Sequence, residues 1–258
     1  MSNDIKNTVN TDIIEGRNPI MEALKSGREI DKILVARGER NGSIVKILSD
    51  AKKQGIVIQE VERAKLDSMS NTKNHQGVIA YVAAAEYVSV EDILNSAKEK
   101  GEAPFIVIAD EITDPHNLGS LLRTANAAGA HGVIIPKRRS VGLNSVVAKT
   151  SAGAVEFTPV AKVSNISATI DKLKKENIWV IAADMDGENT IYTQDFSGGV
   201  AIVVGSEGQG ISRIVKEKCD FIVQIPMLGE ITSLNASVAG VLIIYEVVRY
   251  RLGKGDKK

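Results

Sequence analysis

Residues 200–212 read VAIVVGSEGQGIS, an apolar run that passes directly into a glycine-rich segment. Five successive apolar residues without alternation are typical of a strand buried on both faces. The glycines that follow allow the backbone to turn close to a ligand. Their order is GxxGxG, which is not the GxGxxG fingerprint of dinucleotide-binding folds, and the segment lacks the lysine of a P-loop. It therefore predicts a buried strand followed by a ligand-binding loop of another kind.

Strands and helices are predicted to alternate on both sides of this run. Strands are expected at 105–110, 132–136, 178–184 and 221–225, with helices at 117–128 and 166–176. Such alternation with continuous Val and Ile runs predicts an α/β fold with a mostly parallel sheet covered by helices on both faces. In such sheets, ligands bind in the loops beyond the carboxyl ends of the strands.

The chain before residue 104 predicts a smaller α/β domain. Helices are expected at 20–25 and 43–53, and strands at 32–36, 56–60 and 78–82. An acidic stretch with Gly101 just before Pro104 separates this domain from the larger one and is interpreted as a connector with some helix. The predicted organisation is a polar tail at 1–11, a small domain at 12–85, a linker at 86–103 and a large domain at 104–258.

Composition excludes several classes of protein. The 258 residues carry 32 basic and 32 acidic side chains, so any binding of nucleic acid must come from local patches of positive charge. The single cysteine, Cys219, cannot form an internal disulfide, and no apolar segment is long enough to span a bilayer. The three histidines lie far apart and show no metal-ligand spacing. We expect a cytoplasmic protein that neither associates with a membrane nor binds a metal ion.

Three predicted strands are followed by polar residues of types that are uncommon in a hydrophobic core. Asn117 and Arg123 lie in DEITDPHNLGSLLRTA, residues 110–125, Glu207 lies in the glycine-rich loop, and Ser233 and Asn235 lie in IPMLGEITSLNASVAG, residues 225–240. Asn117 is expected to cap the first of these helices, and Ser233 or Asn235 to cap the last one. The parallel arrangement should bring all five to one edge of the sheet.

Each of these residues also has an ordinary structural explanation. Arg123 lies off the leucine stripe of its helix and could be a solvated arginine or a partner for Asp110 or Asp114. Glu207 could be an exposed residue of a turn. The final helix, about Leu234 to Leu252, has two apolar faces. Its small residues Ala236, Ala239 and Gly240 suggest a homodimer contact, with packing inside one domain as the alternative.

The three loops, in this order, resemble the motifs of the SpoU (TrmH) family of RNA ribose 2′-O-methyltransferases within the SPOUT superfamily. EGRNPIMEAL at 15–24 and NHQGVIA at 74–80 resemble the substrate-binding domain of that family, which is L30e-like. The arrangement is most similar to the bacterial 23S rRNA guanosine 2′-O-methyltransferase group. The resemblance implies a C-terminal trefoil knot, S-adenosylmethionine as cofactor, and 23S rRNA as substrate. One departure is Asn18, which stands where the family commonly has a histidine.

The resemblance also implies roles for individual residues. The family's cofactor contacts fall on Gly205, Ile225 and Leu234, and its catalytic set falls on Asn117, Arg123, Glu207, Ser233 and Asn235. An arginine with a pKa above about 12 is a poor general base. We therefore expect Arg123 to bind the phosphate beside the target ribose and to stabilise developing alkoxide charge. The candidate RNA contacts are Arg17, Lys137, Arg138, Arg139 and Lys149, with Arg37, Arg40 and Lys73 as further candidates in the small domain.

There are three alternatives to this interpretation, of which the second and the third differ from it in class. The same chemistry on tRNA cannot be separated from it by sequence. A non-catalytic RNA-binding or ribosome-assembly factor would have no need of the whole polar set. A nucleotide-dependent oxidoreductase lacks its glycine fingerprint.

Overall fold

The computed structural model describes residues 12–230 and 233–255. The predicted polar tail at 1–11 and residues 231–232 of the predicted cofactor loop lie outside the described residues. The chain divides after Ala84 into two compact units, a small N-terminal unit and a large C-terminal unit. No helix in the two described ranges is long and apolar enough to cross a membrane.

The N-terminal unit is a four-stranded sheet with helices on both faces. Ile33 and Leu34 are neighbours on one strand, and they belong to two separate cores because successive side chains point to opposite faces. The strand order is β1-β4-β2-β3, in which β2 and β3 are parallel while β4 is antiparallel to β1 and β2. The elements are β1 (Ile13–Glu15), α1 (Arg17–Lys25), β2 (Ile30–Ala36), α2 (Ser43–Lys53), β3 (Val57–Val61), α3 (Arg63–Met69) and β4 (Val78–Val82). The sequence predicted all of these except β1 and α3.

The C-terminal unit contains a seven-stranded sheet in the order β7-β6-β5-β10-β8-β11-β9. Every pairing between these strands is parallel, which confirms the predicted α/β class. The strands are β5 (Phe105–Ala109), β6 (Gly132–Pro136), β7 (Val160–Val163), β8 (Ile178–Ala183), β9 (Asn189–Thr190), β10 (Gly199–Val204) and β11 (Phe221–Gln224). The carboxyl ends of β5, β10, β8 and β11 therefore lie along one edge of the sheet.

Helices cover both faces of this sheet, as predicted. Val203 packs in a core with residues of α7 and α8, whereas the next residue, Val204, faces Gly240 of α9 on the other side. The helices are α4 (Val90–Glu99), α5 (Pro115–Ala127), α6 (Ser145–Thr150), α7 (Ile166–Lys175), α8 (Arg213–Lys218) and α9 (Ala236–Gly255). The stretch expected to be a connector, 86–103, carries α4, and Val90 and Ile93 of α4 pack in the core of the C-terminal unit.

The helices α5 and α9 pack against each other beside the central strands. Leu118, Leu121 and Leu122 of α5 are fully buried, as their spacing predicted. A Cβ placed on Gly240 would lie 2.3 Å from Cδ2 of Leu121, so the glycine sets how closely the two helices approach. The small-residue face of α9 is thus covered by its own domain, and the expectation that this face forms a homodimer contact is wrong.

The opposite face of α9 is the one that is open to solvent. Val238, Leu242 and Tyr245 are 39–46% exposed. The sequence showed two apolar faces and contained no signal for which of them the domain would cover. The trefoil knot implied by the resemblance stays a prediction.

Candidate functional site

A cavity of about 720 Å³ opens at the carboxyl ends of β8, β10 and β11. Its position agrees with the general rule that ligands bind beyond the carboxyl ends of parallel strands. The three residues predicted to contact the cofactor, Gly205, Ile225 and Leu234, all line it. The lining combines small, apolar and polar residues: Ala183, Asp184, Met185, Val204, Gly205, Ser206, Glu207, Gly208, Gly210, Gln224, Ile225, Met227, Gly229, Ser233, Leu234, Asn235, Ala236 and Ala239.

The glycine-rich loop folds tightly on itself. Ser206 and Gly210 exchange two backbone hydrogen bonds of 3.0 Å each. A Cβ placed on Gly205 would lie 2.2 Å from the carbonyl carbon of Gly210, so no side chain fits at this position. The two glycines on the far side of the turn, Gly208 and Gly210, have positive φ angles of 81° and 64°, which favour glycine. The turn places Glu207 at its tip, exposed to solvent beside the cavity.

Asn235 connects the three loops that follow β5, β10 and β11. Its Oδ1 accepts hydrogen bonds from the backbone N–H groups of Ser237 and Val238 at 2.9 and 3.3 Å, so Asn235 caps α9. Its Nδ2 donates to Oδ1 of Asn117 at 3.1 Å and also to Oε1 of Glu207. The capping explanation for Asn235 is therefore correct, and the other end of the same amide contacts two further members of the predicted catalytic set.

Asn117 does not cap its helix, contrary to the prediction. The helix α5 begins two residues earlier, at Pro115, and the side chain of Asp114 caps it by accepting from the N–H of His116 at 2.8 Å. Proline is favoured in the first turn of a helix because its missing N–H has no partner there in any case. The side chain of Asn117 therefore does not cap the helix. It is buried and accepts a hydrogen bond from Asn235.

Of the five predicted catalytic residues, Glu207, Ser233 and Asn235 line the cavity and Asn117 bonds to Asn235, whereas Arg123 is not among the lining residues. It lies six residues after Asn117 on α5, about 9 Å along the helix axis and rotated by about 120°. Its side chain is exposed, and among the described residues it has no hydrogen-bond or ion-pair partner. Asp114 is used as a cap, and the buried Asp110 accepts from the N–H of Ser212 at 2.8 Å. Neither of the two carboxylates considered as partners for Arg123 is bonded to it.

Asp184 is a residue of the cavity that sequence reasoning missed. It follows β8 directly, and Nζ of Lys216 lies 2.8 Å from its Oδ2 and 2.9 Å from Oδ2 of Asp186. Partial burial opposes the charge on Lys216, but the hydrogen bonds to the two aspartates outweigh this effect and raise the pKa of Lys216. A carboxylate as the last residue of the predicted strand 178–184 was the available signal.

The basic residues predicted to touch RNA lie in two places. In the C-terminal unit, Lys137 is half-buried, while Arg138, Arg139 and Lys149 are exposed. Arg139 pairs with Glu111 at 3.1 Å, and both residues have positive φ angles. In the N-terminal unit, Arg17 pairs with Glu39 at 3.3 Å. Several of the candidate RNA contacts are thus neutralised by a carboxylate in the free protein.

The cavity fits S-adenosylmethionine in size and chemistry. Its volume lies within the range of about 300–1,000 Å³ that is usual for small-ligand sites. Position 205 must be glycine, which leaves backbone groups at the lining, and the carboxylates of Asp184 and Glu207 suit a cofactor that carries positive charge. Among the residues that the structure describes, no group of three or more His, Cys, Asp or Glu side chains could hold a metal ion.

Solved structures with this fold include methyltransferases. The SpoU methyltransferase AviRb from Streptomyces viridochromogenes, solved in complex with AdoMet, superposes with a TM-score of 0.58 at 26% identity and covers 93% of this chain and 90% of that chain. A structure of an RNA 2′-O ribose methyltransferase superposes with a TM-score of 0.53 at 30% identity, with coverage of 93% and 88%. The fold and the site define an RNA methyltransferase that uses S-adenosylmethionine.

Comparison of sequences gives the family. Residues 104–245 match the SpoU rRNA Methylase family, and residues 13–88 match the family of RNA 2′-O ribose methyltransferase substrate-binding domains. YacO of Bacillus subtilis strain 168, a candidate TrmH family tRNA/rRNA methyltransferase, is 49% identical over 245 residues, which make up 95% of this chain and 98% of that protein. A relative of the same description from Staphylococcus haemolyticus is 48% identical over 244 residues, with the same coverage. This chain belongs to the SpoU/TrmH family of methyltransferases.

Proposed function

We propose that this enzyme transfers a methyl group from S-adenosylmethionine to the ribose 2′-hydroxyl of a guanosine in 23S rRNA. The observation that carries the proposal is the amide of Asn235, which ties Asn117 and Glu207 together at the cofactor cavity. A protein that only binds RNA has no need of this arrangement. Such a substrate would place the reaction in the cytoplasm.

The residues at the cavity bind and position the reactants. S-adenosylmethionine, when bound, supplies an electrophilic methyl group, with Gly205, Ile225 and Leu234 as its contacts. The ribose hydroxyl must approach that methyl group in line, so catalysis depends on fixed geometry. In the proposed mechanism, Glu207, Ser233 and Asn235 orient the ribose, and Asn117 holds the orientation of Asn235.

Arg123 has an electrostatic role in this mechanism. Its guanidinium binds the phosphate next to the target ribose and stabilises the negative charge that develops on the 2′ oxygen. Arg123 lies on a different side of α5 from Asn117. Its guanidinium can therefore act on the reaction only if the bound RNA extends from the cavity to Arg123, or if a second protomer supplies its Arg123 to the cavity. We propose a homodimer formed through the exposed face of α9. This face lies close to the cavity, because Asn235, which caps α9, also lines the cavity.

A purified heterodimer tests the source of Arg123. One protomer carries Arg123→Ala and the other carries Asn235→Ala, and each homodimer alone should be inactive. If Arg123 acts across the interface, the heterodimer contains one intact composite site and should show about half of the parental activity. If Arg123 acts within its own chain, the heterodimer should be inactive. A monomeric active enzyme in sedimentation would refute the dimer.

The proposed RNA contacts fall on both units. In the C-terminal unit they are Lys137, Arg138, Arg139 and Lys149, and in the N-terminal unit they include Arg17. Residues 12–85 are proposed as the substrate-binding domain and 104–258 as the catalytic domain. Residues 86–103, expected as a linker, carry α4, which packs in the core of the catalytic unit. The match of residues 13–88 to substrate-binding domains supports this division. Arg138→Ala should weaken RNA binding and reduce its salt dependence.

Mapping of ribose methylation in a deletion strain identifies the substrate. We expect one guanosine of 23S rRNA to lose its 2′-O-methyl group, and the parental gene, but not a gene encoding Asn235→Ala, to restore it. Loss of a methyl group from tRNA would instead establish tRNA as the substrate, since the relatives are described as tRNA/rRNA methyltransferases without a choice between the two. An unchanged pattern in both RNAs would refute the proposed substrate.

A further inference from the structure

One edge of the sheet in the N-terminal unit gathers charged residues from four separate segments. The parallel strands β2 and β3 end at this edge, and β4 begins there because it runs the other way. Glu39 follows β2, Arg63 begins α3 after β3, and Gln76 and Gly77 precede β4. Arg17 begins α1 directly after β1, at the same edge.

The carboxylate of Glu39 lies between two guanidinium groups. Its Oε2 accepts from Nη2 of Arg17 at 3.3 Å, and its Oε1 accepts from Nη1 of Arg63 at 2.9 Å. Arg17 is held in this orientation because its Nε also donates to the carbonyl oxygen of Gln76 at 3.1 Å. Two arginines from different helices that converge on one oxyanion have the arrangement with which proteins bind phosphate groups.

The surroundings leave this carboxylate site within reach of a ligand. A Cβ placed on Gly77 would lie 3.2 Å from the carboxyl carbon of Glu39, which is a tight contact. Gly77 also has a φ of 83°, so both space and backbone conformation favour glycine beside Glu39. The side chains of Glu39, Arg17 and Arg63 are 25%, 28% and 58% exposed. Ion pairs that water can reach are weak, and a phosphate group that binds both arginines can therefore replace the carboxylate.

We propose that Arg17 and Arg63 form a binding site for a phosphate of the RNA backbone, which Glu39 occupies in the free protein. The proposal rests on RNA being the substrate, and it does not depend on which RNA is methylated. Glu39 lowers the affinity of this edge for any polyanion, and an RNA binds there when its phosphate displaces the carboxylate. Arg37 and Arg40 at the same edge are neutralised in the same way, by Glu62 and Glu60.

The proposal predicts that removing an acidic residue strengthens RNA binding. Glu39→Gln should raise the affinity for RNA by up to about fivefold at 0.1 M salt, because the phosphate no longer has to displace a water-accessible ion pair. The dependence of log K on log salt concentration should stay as in the parent, because both proteins make the same phosphate contact in the complex. Arg63→Gln should instead give a slope smaller by about 0.7 and an affinity about fivefold lower.

Glu22→Gln is the matched control. It makes the same change of charge in the same unit and also removes an ion pair, since Glu22 lies 2.7 Å from Lys25. Glu22 lies within α1, five residues and about 7.5 Å further along the helix than Arg17. Its slope and affinity should equal those of the parent within twofold.

The probe is a 5′-fluorescein-labelled, mixed-sequence, single-stranded RNA of 30 nucleotides, titrated with the full chain and its variants at several KCl concentrations. Fluorescence anisotropy gives the affinity and the slope, and thermal unfolding checks that each variant is folded. The proposal is overturned if Glu39→Gln binds no more tightly than Glu22→Gln, or if Arg63→Gln binds as the parent does. Failure of the 23S rRNA assignment would appear only in the methylation map and would leave these differences in binding intact.

Discussion

The two functions of Asn235 can be separated by substitution. Asn235→Ser keeps an acceptor that can cap α9 but removes the amide group that reaches Asn117 and Glu207. Asn235→Ala removes both. Asn165→Ala is the control, because the Oδ1 of Asn165 caps α7 by accepting from the N–H of Ala168 at 3.1 Å and lies in another helix.

The expected losses of stability follow from these contacts. Loss of a capping side chain costs about 1 kcal/mol. Loss of the Asn235 amide leaves Oδ1 of the buried Asn117 without this partner, which costs about 1 kcal/mol when water can partly replace it. We therefore expect the free energy of unfolding to fall by about 2 kcal/mol for Asn235→Ala and about 1 kcal/mol for each of the other two variants. For a unit of this size, 1 kcal/mol corresponds to a shift of about 2–4 °C in Tm.

Activity should follow a different order from stability. Both Asn235 variants should transfer methyl groups on the order of 100-fold more slowly in single turnover at saturating RNA and cofactor, because misplacement by about 1 Å is enough for such a loss. Asn165→Ala should be as fast as the parent. If Asn235→Ser is also as fast as the parent, the connection among the three loops is not needed for catalysis and the role proposed for Asn235 is wrong.

Three further predictions concern packing, the cofactor loop and pH. Leu122→Ala should lower the free energy of unfolding by about 2–5 kcal/mol in urea titrations, because Leu122 is fully buried; a loss below 1 kcal/mol would contradict this. Gly205→Ala should abolish calorimetric binding of S-adenosylhomocysteine, since its Cβ would meet backbone at 2.2 Å, whereas Gly253→Ala, outside the cavity lining and with nothing within 4 Å, should bind like the parent. Burial, and secondarily the charge of Lys100, lowers the pKa of His131, so the protonated form is disfavoured in the fold. The stabilisation due to neutral His131 should be complete above the ordinary pKa of about 6.5 and should be lost as the pH falls below it; a difference in urea midpoint between parent and His131→Gln that stays constant from pH 8 to 5.5 would exclude this effect.

The sequence predicted elements well where hydrophobic periodicity extended over several turns or a full strand. The helix at 43–53 and the strands at 78–82 and 132–136 have the predicted bounds. The elements α6 and α8 are six residues long and were missed because fewer than two turns do not establish a helical period. The strand β9 has two residues and exists only because β11 lies beside it.

The loops that line the cavity were predictable from the sequence, whereas the bonds between them were not. The three loops and Gly205, Glu207 and Asn235 could be selected because each follows a predicted strand. The start of α5 was misplaced because both Asp114 and Asn117 are good capping residues and only the position of Pro115 separates them. The sequence did not predict which face of α9 its own domain would bury. The contact that decides this joins Gly240 to Leu121, and these residues lie more than one hundred positions apart in the sequence.

The location of the cavity follows from how the chain leaves β11. The residues after β11 must reach Asn117, which follows β5, but β8 and β10 lie between β11 and β5 in the sheet. Three strand spacings of about 4.8 Å make this a span of about 14 Å. Residues on both sides of this span, within 225–229 and at 233–235, accordingly line the cavity at the carboxyl ends of β8 and β10. Asn235 bonds to Asn117 and Glu207, so the side chain that orients the ribose in the proposed mechanism also forms part of the wall of the cofactor cavity.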